Sequence, residues 1–211
     1  PAAAPVHPAG PMTGRLAAFR LHGGLVVDTE LDPKRQPFLF DHRIDGTAVL
    51  PGVMGIEAFA EAAAALLPGF RVASIDDVDF LAPFKLYRDE PRTVVVEAVL
   101  RPAADAVEAD CRLVGRRALP GQAEPQETVH FRARVRLERS EPRAESFAAA
   151  LERPGTAIAA SDIYSVYFHG PAYQVLAGAW KNGSGVVGLL ADPLPPNHVP
   201  DAPTVVAPRL V

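Results

Sequence analysis

The chain has 211 residues, of which 48% are hydrophobic and 22% charged, with a formal net charge of −4. That suits one large or two small globular domains and offers no basic face for nucleic acid or an anionic membrane. Cys111 is the only cysteine, so no internal disulfide forms and a reducing, cytoplasmic setting fits, while no apolar run reaches the ~20 residues of a membrane span.

No signal-peptide layout is visible at the N-terminus. The chain starts at Pro1 and ends at Val211 in mid-pattern, which reads as an excised piece of a longer polypeptide. Residues 1–14 are rich in proline and alanine and read as a linker. Arg15 to Leu21 and Leu25 to Leu31 are apolar-rich runs around His22-Gly23-Gly24. Glycines supply the positive φ of a hairpin turn, so a β-hairpin is expected there. Residues 32–51 read as irregular. Gly52 to Leu67 is alanine-rich and stops at Pro68-Gly69, the pattern of a helix of about four turns. Only Glu57 and Glu61 are charged in it, and a helix apolar nearly all round is a buried one.

Val72 to Phe84 reads as extended. Thr93 to Leu100 and Val107 to Val114 are strand candidates. The clearest is Thr128 to Leu137, with Val129, Phe131, Ala133, Val135 and Leu137 on one face and His130, Arg132, Arg134 and Arg136 on the other. Strict period two marks a half-buried antiparallel strand. Residues 15–138 therefore read as an α+β unit, an antiparallel sheet wrapped round one central helix, which is the hotdog arrangement. Residues 139–160 read as a second linker. A second unit, 161–211, opens on Ser161-Asp162 as the N-cap of a short helix. In it, Ala172 to Trp180 and Val186 to Leu190 flank a turn at Lys181 to Gly185. It shows no long helix, so it reads as an incomplete second hotdog.

Chemistry is suggested by Asp41 to Gly52 (DHRIDGTAVLPG). A histidine stands in a loop directly before a buried helix, whose N-terminus presents unpaired N–H groups and partial positive charge. Dehydration of a 3-hydroxyacyl thioester needs a base at C2, a site that polarises the thioester carbonyl, and an acid for the C3 hydroxyl. His42, with an ordinary pKa of about 6.5, suits the base. The Gly52 N–H suits the carbonyl site, and Gly52 lets a ligand approach the backbone.

His42, Gly46 and Pro51 reproduce an H-x-x-x-G-x-x-x-x-P motif, and the chain resembles the dehydratase domains of modular polyketide synthases and multifunctional fatty acid synthases. Leu50-Pro51-Gly52 and the helix with Glu57 are similar to that family too. Phe168 to Gln174 (FHGPAYQ) resembles its second motif, Y-G-P-x-F-Q, with His169 where tyrosine is usual. The resemblance covers residues 15–211. It implies a double hotdog, dehydration of carrier-bound 3-hydroxyacyl thioesters to 2-enoyl thioesters, and no metal or redox cofactor. The implied partners are an acyl carrier protein, which delivers substrate on its phosphopantetheine arm, and other synthase domains; a homodimer is expected separately, because exposed strand edges in hotdogs are often closed by pairing. His42 is then the general base. Gly46, Leu50, Pro51, Gly52, Gly170, Pro171 and Tyr173 are implied near the substrate. Ala207 to Val211 is similar to the lead-in of the family's H-P-x-L-x-D pattern, with Ala207 for histidine, which puts the partner acid just past Val211. Pro51 to Ala58 is also similar to the P-G-V-x-x-x-E-A helix of stand-alone carrier-protein dehydratases, whose catalytic glutamate matches Glu57.

Plainer readings stand beside these. His42 could cap a loop, and the metal phosphohydrolase echo in Asp41-His42 lacks further ligands. Glu57 could be a polar residue at a helix end, His169 a pocket wall, and Tyr173 and Gln174 core. Arg132, Arg134 and Arg136 read as a solvated face or a dock for an acidic carrier, and Cys111 as core. The rival functions are a hotdog thioesterase, a double-bond isomerase, or a non-catalytic acyl-binding or dimerising module.

Overall fold

The computed structural model describes residues 10–20, 24–121, 123–139, 157–198, 200 and 202–210. In chain order the elements are β1 (Arg15–Arg20), β2 (Gly24–Leu31), α1 (Pro37–Phe40), β3 (Arg43–Ile44), β4 (Thr47–Val49), α2 (Gly52–Leu66), β5 (Arg71–Phe80) and β6 (Lys85–Leu86). There follow β7 (Arg92–Pro102), β8 (Val107–Arg117), β9 (Gln126–Glu138), β10 (Ile158–Ala159), α3 (Ala160–Tyr164), β11 (Leu176–Asn182) and β12 (Gly185–Leu190).

Helix α2 decides the architecture. Its alanines favour helix and carry little bulk, and Pro51 precedes it in extended conformation, which suits a chain entering a helix. It ends where Pro68 cannot continue the ladder and Gly69 turns at φ +86°. Met54, Ala58, Phe59, Ala62 and Ala63 are all buried. They sit in a core with Leu113, Phe131, Val135 and Leu137 from one face of a six-stranded sheet, ordered β1-β2-β7-β8-β9-β5. Every neighbouring pair in that sheet is antiparallel. A sheet wrapped round one helix is the hotdog fold. β10, β11 and β12 form a separate three-stranded antiparallel sheet, with no long helix against it among the described residues.

Several local expectations are corrected. Residues 10–14 are no free linker, because Met12 is buried in the core and its N–H meets Glu61. Residues 32–51 are ordered as α1 and the β3–β4 hairpin. The His22-Gly23 turn and residues 140–156 lie outside the described residues, but Ile158–Ala159 pairs with β11 rather than linking. Ser161 lies inside α3, whose N-cap is Ala159 with no side-chain cap. Residues 171–173 form a short 3₁₀ turn instead of opening β11. Period two also breaks in β9. A bulge opposite Leu113 and Val114 leaves His130 unpaired in the register, and bulges re-aim side chains. Val129 therefore joins Val26, Val95 and Val114 in a small cluster apart from the main core. His130 is buried against Phe84, ring centroids 5.0 Å apart, with Nδ1 3.1 Å from the Ala82 carbonyl.

Arg132, Arg134 and Arg136 pair with Asp79, Asp77 and Asp105 across the sheet surface. Exposed pairs of this kind contribute little to stability. The core carries it. Phe59, fully buried at the centre of α2, is expected to cost about 3–5 kcal/mol on replacement by alanine, measured by denaturant unfolding; a loss under about 1 kcal/mol would contradict this packing.

Candidate active site

The loop ahead of α2 is built as a rigid hairpin. Asp45 and Gly46 both take positive φ, 50° and 75°, the geometry of a tight two-residue turn in which Asp-Gly is favoured. Gly46 is exposed at the hairpin tip, a place set by turn geometry. Arg43 braces the loop. Its guanidinium donates to the Phe40 and Gly46 carbonyls, each at 3.0 Å, and makes a bidentate pair with Asp89, both arms 3.0 Å. Arg43 carried no signal in sequence because Asp89 lies 46 residues away.

His42 sits at the base of this hairpin. Its main-chain carbonyl accepts the Val49 N–H at 3.0 Å, and its Nδ1 lies 2.8 Å from the Val49 carbonyl. A carbonyl oxygen can only accept, so Nδ1 carries the hydrogen of the neutral ring and Nε2 is left with a lone pair. Burial holds the pKa of His42 below 6.5; the bond to Val49 opposes the shift, and the nearby His169 adds to it.

The two motifs meet. The His42 ring centroid lies 5.2 Å from Phe168, 5.4 Å from His169 and 5.9 Å from Tyr173. Phe168 and His169 stack at 4.0 Å. His169 is thus part of the wall round His42. Pro171 and Tyr173 bound the 3₁₀ turn, and Gln174 Nε2 donates to the His169 carbonyl at 3.4 Å. The Tyr173 hydroxyl is buried without a hydrogen-bond partner among the described residues, and burial drives its pKa far up.

Leu50 is core. Pro51 and Gly52 begin α2, and the Phe80 ring fills the space a Cβ on Gly52 would take, 2.8 Å away. The missing side chain there accommodates Phe80. Cys111 is core as expected, its thiol pushed up to about 12 by burial.

Glu57 is fully buried on the helix, and its carboxylate accepts the N–H groups of Val205, at 2.6 Å, and Val206, at 2.9 Å. Among the described residues no hydrogen bond joins Glu57 to His42. One turn on, Glu61 accepts from the Met12 N–H and from the Thr13 hydroxyl. The helix carboxylates thus tether the two ends of the described chain. No cluster of three or more His, Cys, Asp or Glu among the described residues could hold a metal ion, and no helix is long and apolar enough to cross a membrane.

Residues 11–112 match a family model described as the polyketide synthase dehydratase domain. That match spans 102 of the 211 residues. The chain is similar in structure to the dehydratase domain from the CurF module of the curacin polyketide synthase, with 20% identity, a TM-score of 0.68, and coverage of 88% of this chain and 67% of that one. A dehydratase from the borrelidin and fluvirucin synthases gives 24% identity and 0.59, covering 85% and 62%. A dehydratase of a type I polyketide synthase gives 22% identity and 0.66, covering 96% and 71%. The chain spans less than two thirds of several of these dehydratase structures. Among curated proteins none matches the sequence significantly.

Burial raises the pKa of both Glu57 and Glu61, the latter to about 8, and the charge of Glu57 adds to the rise at Glu61. Carboxyls with raised pKa bind protons more tightly folded than unfolded, so the stability they contribute at low pH is lost as pH rises from about 4.5 through about 8. Glu61→Gln is expected to flatten this fall between pH 5 and pH 8 relative to the parent chain, in denaturant midpoints across that range. Parallel curves for the two proteins would show that Glu61 does not hold its proton.

Proposed function

We propose that the chain is the dehydratase part of a polyketide or fatty-acid-type synthase and converts 3-hydroxyacyl-carrier-protein thioesters to 2-enoyl thioesters, a hydro-lyase reaction. The single observation that carries this reading is the His42 imidazole with its Nδ1–H fixed on Val49 and a lone pair left on Nε2, beside the turn of the second motif. Nε2 takes the C2 proton. The electron pair of that C–H bond forms the C2=C3 double bond, the C3–O bond breaks, and the departing oxygen takes a proton to leave as water. Charge that gathers on the thioester oxygen in this step suits the N-terminus of α2, a helix of 15 residues that starts three residues after Val49. The acid for the C3 hydroxyl belongs, by the resemblance, directly after Val211, since Glu57 is engaged by Val205 and Val206. The substrate arrives on the phosphopantetheine of an acyl carrier protein, with no cofactor bound to the dehydratase itself. The neighbouring synthase domains and a second copy complete its partners.

His42→Ala is expected to lower enoyl formation from a 3-hydroxyacyl pantetheine thioester by roughly 10²–10⁴ with circular dichroism unchanged. Unchanged turnover would sink the reading; cleavage of the thioester without enoyl product would favour a thioesterase. Because burial holds His42 below 6.5, the acid limb of kcat/KM is expected below pH 6.5, where the ring gains its proton and ceases to be a base.

A further inference from the structure

Asp41 is gripped by the second motif on two sides. Its main-chain carbonyl accepts the Gly170 N–H at 2.7 Å, and its carboxylate Oδ2 accepts the Ala172 N–H at 2.8 Å. The fit leaves no slack: a Cβ on Gly170 would stand 2.5 Å from Asp41 Oδ1. The φ of Gly170 is −76°, open to any residue, so glycine is required there by contact alone. Asp41 is itself fixed, because it closes α1 and donates its N–H to the Pro37 carbonyl at 2.9 Å. The turn it grips carries Phe168 and His169 on one side and Tyr173 on the other, the three rings against His42.

We infer that Asp41 is a positioning residue for His42: by clamping the Gly170–Tyr173 turn it holds the aromatic wall against the imidazole. The inference rests on the base role proposed for His42 and names what keeps that base dry and oriented. The clamp acts through its neighbour in sequence. The ring stands on Val49 from inside its own hairpin, and the wall, which belongs to a segment more than a hundred residues away, is seated by the adjacent carboxylate. Among the described residues the titratable groups at the imidazole are His169 and Tyr173, and Asp41 and Arg209 act on Tyr173. With the wall detached, His42 loses the burial and the His169 proximity that both disfavour its charged form, while the Val49 bond remains.

Two variants and two readouts test this. Asp41→Ala removes the acceptor for Ala172, whereas Asp41→Asn keeps a carbonyl oxygen for it and drops only the charge. In Asp41→Ala the His42 titration, followed by its ring proton resonances, is expected to rise toward 6.5. In the same protein kcat on a 3-hydroxyacyl pantetheine thioester should fall roughly 10–100-fold, with KM changed by less than about twofold. Asp41→Asn is expected to restore both. Gly170→Ala, which presses on the same contact from the other strand of chain, should move the His42 titration in the same direction and serves if Asp41→Ala does not fold. An unmoved titration in Asp41→Ala, or in Gly170→Ala where that serves, overturns the inference. So does an Asp41→Asn as impaired as Asp41→Ala, since the charge and not the hydrogen bond would then matter. A parent chain that makes no enoyl product while the titration still shifts in the variants overturns the dehydratase reading and supports the clamp.

Discussion

Burial of α2 is the constraint from which the rest follows. A helix this apolar is unstable alone in water, and only a sheet curved round it removes its surface from solvent. The six antiparallel strands do this with one face, and the apolar side chains of β7, β8 and β9 fill the space between. The loop before the helix is then trapped between α2 and β6, with the Leu50 N–H on the Phe84 carbonyl at 2.9 Å. The hairpin that carries His42 is thereby held at the helix N-terminus.

The two glutamates of α2 show how a buried carboxyl group can be made tolerable. An isolated carboxylate in an apolar core is prohibitively costly. Glu57 and Glu61 answer this with main-chain N–H donors from opposite ends of the described chain, Val205 and Val206 on one side and Met12 on the other. Each carboxyl group thus has its oxygens engaged by main-chain donors. The arrangement explains why a glutamate in a helix that resembles a catalytic one is engaged in holding the fold. Its oxygens are filled by the chain's own backbone.

The candidate site is assembled from two segments that share no local sequence. His42 receives its tautomer from a bond seven residues away in its own hairpin, and its surroundings from the 168–173 segment. The first is a local property and the second a tertiary one. Their meeting point is Asp41, whose carbonyl and carboxylate both serve the distant segment.

Much of this was legible in the sequence. The central helix, the three long strands that follow it and the histidine before the helix are all written in local pattern: alanine content, period-two alternation and a proline-glycine stop. Such patterns report which face of an element is apolar, and that is nearly enough to specify a sheet round a helix. Others were not legible. The bulge that turns His130 inward, the pairing of Arg43 with Asp89, the tethers on Glu57 and Glu61, and the grip of Asp41 on Gly170 and Ala172 all join residues far apart in the chain. Hydrogen bonds and bulges of this kind depend on where two backbones come to lie, which no local periodicity encodes. Sequence alone determined that a helix would be buried and that a histidine would stand before it. Only the packed structure decided what that histidine faces, because its wall is brought there by contacts more than a hundred residues away in the chain.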